Sequence, residues 1–312
     1  MSKTVFLYPG QGSQHVGMGQ DLFEKFSEVK DIFELGSAIS GLDLTSLCFN
    51  GPISELTRTV NLQPAITAVN LSISSLLKKK GVVPDFCAGH SLGEYSALCA
   101  AGFLSMEDTF QLVCLRGRLM DREACRSKGK MVAVIGLPID KVQKSLSSVS
   151  THGAISVANH NAQLQIVITG AAEPINEATA ILKASGARAI PLKVSGAWHS
   201  QLMKPAQEEF THILDTISFH PPKCPVVLNV TAQPSADPQT VKKIMGDQLC
   251  SPVRWYESMK TLVELKTGPM VEVGPGSVLI GLAKKTIPAG NSSVFLKAGN
   301  TEQIAQTAQE LR

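Results

Sequence analysis

The tightest restriction on this chain is a five-residue turn, Gly89-His90-Ser91-Leu92-Gly93, set between a short apolar strand at 85–88 and an alanine- and leucine-rich helix. A serine on a sharp strand-to-helix turn needs neighbours without bulky side chains, and the turn then leaves its hydroxyl exposed. The same residues have a plainer reading. Ser91 and Glu94 form an S-x-x-E capping box, which would make the serine a helix N-cap. Around this turn, strands and helices alternate: a strand at 4–8, helices near 20–27, 28–38, 62–80 and 106–125, then a helix at 202–216, a strand at 225–230, helices at 238–249 and 253–266 and a strand at 270–273 before Gly-Pro-Gly. Such alternation predicts a mainly parallel sheet covered by helices. Between 129 and 195 the order changes to β-α-β-β-α-β, the ferredoxin-like arrangement. The chain is therefore read as a large domain, 1–128 and 196–312, with a small ferredoxin-like subdomain, 129–195, inserted into it.

Composition narrows the class. With 44% hydrophobic and 18% charged residues in 312, the chain can fill a core without metals or disulfides. A net charge of +3 without basic blocks argues against nucleic acid. The seven cysteines (48, 87, 99, 114, 125, 224 and 250) form no CxxC pair, so neither a disulfide framework nor a bound metal is expected, and a reducing, cytoplasmic setting is. No signal segment is expected at the N-terminus. No stretch reaches the roughly 18 apolar residues of a membrane span.

A serine hydroxyl is unreactive at neutral pH without a base. Of the seven histidines, His199 is the best placed, since it follows a Ser-Gly turn where the chain leaves the inserted segment and re-enters the larger one. A solvated loop histidine is the alternative. Arg116 is unusual in another way. Its neighbours three and four residues away on the helix, Leu112, Val113, Leu119 and Met120, are all apolar. A guanidinium among apolar side chains requires an anion, either an Asp or Glu elsewhere in the fold or the carboxylate of a substrate.

Several separated segments together resemble the malonyl-CoA:acyl-carrier-protein transacylases and the related acyltransferase domains of polyketide synthases. They are Tyr8-Pro9-Gly10-Gln11-Gly12-Ser13-Gln14, Leu62-Gln63-Pro64-Ala65, Gly89-His90-Ser91-Leu92-Gly93-Glu94-Tyr95, Arg116-Gly117-Arg118-Leu119-Met120, Val157-Ala158-Asn159-His160-Asn161, Val194-Ser195-Gly196-Ala197-Trp198-His199-Ser200 and Glu272-Val273-Gly274-Pro275-Gly276. They occur in the family's order along nearly the whole chain.

The resemblance implies an α/β-hydrolase-like large domain and a ping-pong transfer of malonyl from malonyl-CoA to the phosphopantetheine thiol of acyl carrier protein. Ser91 would be the nucleophile and His199 the base, with the Gln248 main-chain carbonyl orienting the imidazole. Gln11 and the Leu92 N–H would form the oxyanion hole. Arg116 would hold the malonyl carboxylate, and Gln63 and Asn161 would contribute to substrate binding. Arg188, Lys284 and Lys285 would dock the acidic carrier protein. Trp198 stands where many relatives have Phe, either narrowing the acyl pocket or packing better. No cofactor is implied, coenzyme A entering as the substrate's thioester, and a monomer is the family's usual state. The fatty-acid role is favoured over a free-standing polyketide acyltransferase. A serine acyl hydrolase or thioesterase, sharing the elbow and the histidine, and a non-catalytic carrier-docking subunit are the rivals.

Overall fold

The computed structural model describes residues 3–287 and 294–311; Met1, Ser2, 288–293 and Arg312, within the segments 1–128 and 196–312, lie outside the described residues. Strand β1 (Lys3–Tyr8) leads to helices α1 (Gln20–Lys25), α2 (Ser27–Ser40), α3 (Leu44–Phe49), α4 (Ile53–Leu56) and α5 (Thr59–Lys79). Strand β2 (Phe86–Gly89) then enters the elbow, followed by α6 (Gly93–Ala101) and α7 (Met106–Ser127). Next come β3 (Lys130–Ile135), α8 (Ile139–Ser147), β4 (Ile155–Ala162), β5 (Gln165–Gly170), α9 (Ala172–Ala184) and β6 (Arg188–Pro191). The remainder is α10 (Lys204–Thr216), β7 (Val226–Val227), β8 (Pro234–Ser235), α11 (Pro238–Asp247), α12 (Trp255–Glu264), β9 (Thr267–Glu272), α13 (Val278–Thr286), β10 (Phe295–Lys297) and α14 (Thr301–Glu310).

Two sheets organise these elements. The larger runs β10-β9-β1-β2-β7-β8 and is parallel except for the short antiparallel pair β7–β8. The smaller runs β4-β5-β3-β6, antiparallel throughout. β1 and β2 are short and almost wholly apolar because both faces of the large sheet are covered. Alternation along β1 sends Phe6 and Tyr8 into a core with α2, α5, α6 and α7, while Val5 and Leu7 pack with Trp255, Met259 and Leu279 on the other face. The small sheet has its own core, in which Val132, Val134, Ile166 and Ile168 meet Ile175 and Leu182 of α9. A parallel bridge, Asn159 to Val253, ties β4 to the segment before α12, with His160 N–H donating to the Val253 carbonyl at 2.9 Å.

The structure departs from the sequence reading at the ends of the pattern. α5 begins at Thr59, so Pro64 lies inside it rather than in its first turn. The strand expected at 225–230 spans only Val226–Val227. α3, α4, α13, α14, β8 and β10 were not anticipated. α3, α4, β8 and β10 are short, and α14 is predominantly polar, burying only Ile304, Thr307 and Ala308; α13 is apolar, burying Leu279, Ile280, Leu282 and Ala283, and begins soon after the Gly-Pro-Gly turn.

The elbow is built from backbone contact. A side chain at Gly93 would run into the Tyr8 carbonyl oxygen of β1, and one at Gly89 into the Gly93 peptide. Only glycines let β2 turn into α6 this close to β1. Ser91 sits between them in the left-handed region at φ 51°. Replacing Gly93 with Ala is expected to destabilise the protein by about 1–3 kcal/mol or more, since neither backbone can yield. Urea unfolding checks this, and an unchanged midpoint would contradict it.

Candidate active site

Ser91, just past β2, and His199, beyond β6 where the chain leaves the small sheet, meet in space. Ser91 Oγ lies 2.8 Å from His199 Nε2. The other ring nitrogen, Nδ1, faces two main-chain carbonyls, Gln248 at 3.1 Å and Ser251 at 3.0 Å. Both are acceptors only, so Nδ1 carries the proton and Nε2 turns its lone pair to the serine hydroxyl. Burial, and then the positive charge of Arg116, hold the imidazole pKa down to about 3, so the ring is neutral at physiological pH. His199, like Ser91, is a non-glycine residue in the left-handed region, with φ 59°. Such conformations persist where surrounding structure imposes them and are common at reactive sites.

Arg116 is 1% exposed on α7. Its Nη2 donates to Ser91 Oγ at 3.1 Å, and its guanidinium lies 5.6 Å from the Tyr95 ring centroid. Nε is buried without a partner. Among the described residues no carboxylate forms an ion pair with it. The four apolar residues flanking it on the helix, Leu112, Val113, Leu119 and Met120, are all buried.

Two small adjoining cavities open around these groups. The inner one, about 100 Å³, is lined by Ser91, His199, Arg116, Met120, Trp198 and Gln11 among others. The outer one, about 180 Å³, shares Gln11, His90, Asn159 and Leu192 with it and extends past Asn161 and Gln165 to Val278 and Leu282 of α13. Leu92 directly precedes α6, so its N–H belongs to the unpaired donors of a helix N-terminus. Trp198 is both wall and packing. It lines the inner cavity, is 4% exposed, and its indole N–H has no partner.

Other candidates lie further out. Asn161 Oδ1 bonds His90 Nε2 at 2.8 Å, and the His90 ring stands 5.4 Å from that of Trp255, so the histidine beside the serine is bonded to Asn161 and not to the Ser91 hydroxyl. Gln63 does not line either cavity. Its side chain is buried behind Met120 and donates to that sulfur at 3.2 Å, so it supports the wall instead of touching what the cavity holds. Lys284 and Lys285 are exposed on the last turn of α13, Lys285 bonded to Gln165 at the rim of the outer cavity. Arg188, exposed on β6, is in register with Ile135, which pairs on its other side with Gln165. The capping-box alternative fails, because Ser91 Oγ faces His199 and Arg116 and Glu94 bonds elsewhere. The Ser251 carbonyl and Asn229, whose Oδ1 accepts from the Ser91 N–H at 2.7 Å, were not anticipated. Main-chain acceptors leave no signature in a sequence.

A serine on a strand–helix elbow, bonded to a neutral buried histidine and to a buried arginine, is an arrangement suited to acyl transfer. Residues 5–308 match the family described as acyl transferase domain, and the chain belongs to that family. It is 42% identical over 287 residues to the malonyl CoA-acyl carrier protein transacylase of Bacillus subtilis strain 168, covering 91% of this chain and 90% of that one. The Staphylococcus aureus MW2 protein of the same name is 40% identical, over 91% and 92% of the two chains. Among solved structures, a malonyl-transacylase in complex with its type II polyketide-synthase acyl-carrier protein superposes with a TM-score of 0.94 at 36% identity, over 99% of this chain and 100% of that one. The acyl carrier protein S-malonyltransferase of Vibrio cholerae O1 biovar eltor gives 0.93 at 36% identity, over 98% and 100%.

Proposed function

We propose that the protein transfers malonyl from malonyl-CoA to the phosphopantetheine thiol of acyl carrier protein, supplying fatty-acid biosynthesis. The observation that carries this reading is Arg116, a buried guanidinium with no ion-pair carboxylate among the described residues and a donor against Ser91 Oγ. A dicarboxylic acyl group brings the missing anion to the reacting oxygen, which arginine's planar fork can grip in two places. The names and close similarity of the relatives support the same substrate and acceptor.

In the first half-reaction Ser91 Oγ attacks the thioester carbonyl while its proton passes to His199 Nε2. The tetrahedral oxygen accepts from the Leu92 N–H and from Gln11, which lines both cavities. Collapse breaks the C–S bond, and the coenzyme A sulfur leaves with the proton from His199. In the second half-reaction the carrier thiol gives its proton to Nε2 and attacks the ester, and Ser91 recovers its proton as leaving group. Thioester, ester and thioester are close in energy, so the site's work is positioning and oxyanion stabilisation. The low pKa of His199 keeps the imidazole free to take a proton at the start of each half-reaction.

Arg116→Ala is expected to lower kcat/KM for malonyl-CoA by about 100-fold or more, the scale of losing a buried charge pair. Acetyl transfer should hold or rise. Steady-state kinetics with both donors checks this; equal loss for both would mean that the arginine only supports the fold.

Lys285 bonds Gln165 of the outer cavity's lining and Lys284 precedes it on α13, beside the opening through which a pantetheine arm would reach Ser91. Reversing charge at Lys284 and Lys285 is expected to raise the KM for carrier protein and spare that for malonyl-CoA. Identical carrier kinetics in wild type and variant would remove these lysines from the docking surface.

A further inference from the structure

The nucleophile and the base share a buried carboxylate that the cycle above does not use. Glu94, in the first turn of α6, has no exposed surface. Its Oε1 accepts from the Asn229 N–H at 2.8 Å, and its Oε2 accepts from Gln248 Nε2. The Asn229 side chain in turn grips the elbow from both sides, accepting from the Ser91 N–H at 2.7 Å and donating to the Gly89 carbonyl at 2.6 Å. Gln248 Nε2 also donates to the Ser91 carbonyl at 3.0 Å, while the Gln248 main-chain carbonyl accepts from His199 Nδ1. The two amide residues that hold the Ser91 peptide thus hang on one carboxylate.

We infer that Glu94 is a positioning residue for acyl transfer, setting the aim of Ser91 and His199 through Asn229 and Gln248. The inference rests on the assignment of Ser91 as nucleophile and His199 as base. Two N–H donors converge on Glu94, and only an ionised carboxylate offers an acceptor to each with no donor of its own. Glutamine in its place would aim an NH₂ at one of them. Gln248 has a buried Oε1 without a partner, but turning its amide to meet that NH₂ would also set Oε1 against the Ser91 carbonyl. Either way one hold on the Ser91 peptide is lost while size and fold are kept.

Protonation of Glu94 has the same effect as that substitution. Burial pushes its carboxyl up to about 7, against the lowering pull of Gln248, Asn229 and the Arg116 charge. The other titratable and charged groups around it and the reacting pair are Tyr95 on its own helix, Arg116 on α7, His199 beyond Gln248, and His90 in the elbow, whose imidazole burial holds below its ordinary pKa and so neutral near pH 7. Burial raises the Tyr95 phenol far above neutrality, the Arg116 guanidinium stays charged, and His199 stays neutral. Glu94 is therefore the member of this group that changes charge near pH 7, and transfer is lost as pH falls through that value.

The test is single-turnover release of coenzyme A from malonyl-CoA as a function of pH, in wild type, Glu94→Gln and Glu94→Asp, with thermal melting alongside. Wild type is expected to slow on the acid side of about pH 7. Glu94→Gln should be slower by about 10- to 100-fold, the scale of a misaimed reacting group, with unchanged KM and no acid limb in that range. Glu94→Asp, which keeps two acceptors on a shorter arm, should regain part of the rate and keep the limb. A Glu94→Gln enzyme at wild-type rate, or one that keeps the wild-type limb, overturns the inference. If that variant does not fold, a wild-type rate constant from about pH 8 to 5 overturns it equally. A Ser91→Ala enzyme that still releases coenzyme A in a single turnover would instead sink the Ser91 assignment.

Discussion

Gly93 lets the first turn of α6 press against the Tyr8 carbonyl of β1, and the geometry of the reactive groups follows from that contact. With no room for a side chain, β2 must turn sharply. Ser91 then takes up a left-handed conformation that projects its hydroxyl out of the elbow. His199 reaches it from the other side in a strained conformation of its own, held by two carbonyls. The strain at both residues is sustained by neighbouring backbone: β1 and α6 for the serine, the Gln248–Ser251 segment for the histidine. Preorganisation of this kind is set at folding, so the reacting atoms need no rearrangement when a substrate arrives.

Electrostatics divides the work among buried groups. His199 is kept neutral by burial and by Arg116, which leaves Nε2 unprotonated toward the Ser91 hydroxyl. Arg116 stays charged beside the Tyr95 ring and in the field of Glu94, and under the proposed reading the acyl group brings the carboxylate that its fork grips. The tie between β4 and the segment before α12, together with the His90–Asn161 bond, sets the small sheet as one wall of the outer cavity. The small sheet thus borders the approach to Ser91, which stands just past β2 of the large sheet.

Much of this was legible in the sequence. The elbow announced itself by glycines at fixed spacing beside a strand and a helix, the small sheet by its β-α-β-β-α-β order, and Arg116 by four apolar neighbours on one helix. These are local patterns whose physical cause is also local. What was missed depends on long-range contact. Glu94 stands three residues after Ser91 and suggests a local cap, yet its partners Asn229 and Gln248 lie more than a hundred residues away. Gln63 belongs to a matching segment but faces Met120, and the rotation of α5 that puts it there is set by tertiary packing. The C-terminal strand and helix escaped because β10 has three residues and α14 is mostly polar.

The central claim is that Ser91 carries the malonyl group between two thiols. Intact-protein mass spectrometry after mixing with malonyl-CoA, in wild type and Ser91→Ala, addresses it directly. The account expects a malonyl adduct that requires Ser91, persists in buffer and disappears when holo acyl carrier protein is added. Steady release of coenzyme A without an adduct, or an adduct that survives in Ser91→Ala, would contradict it.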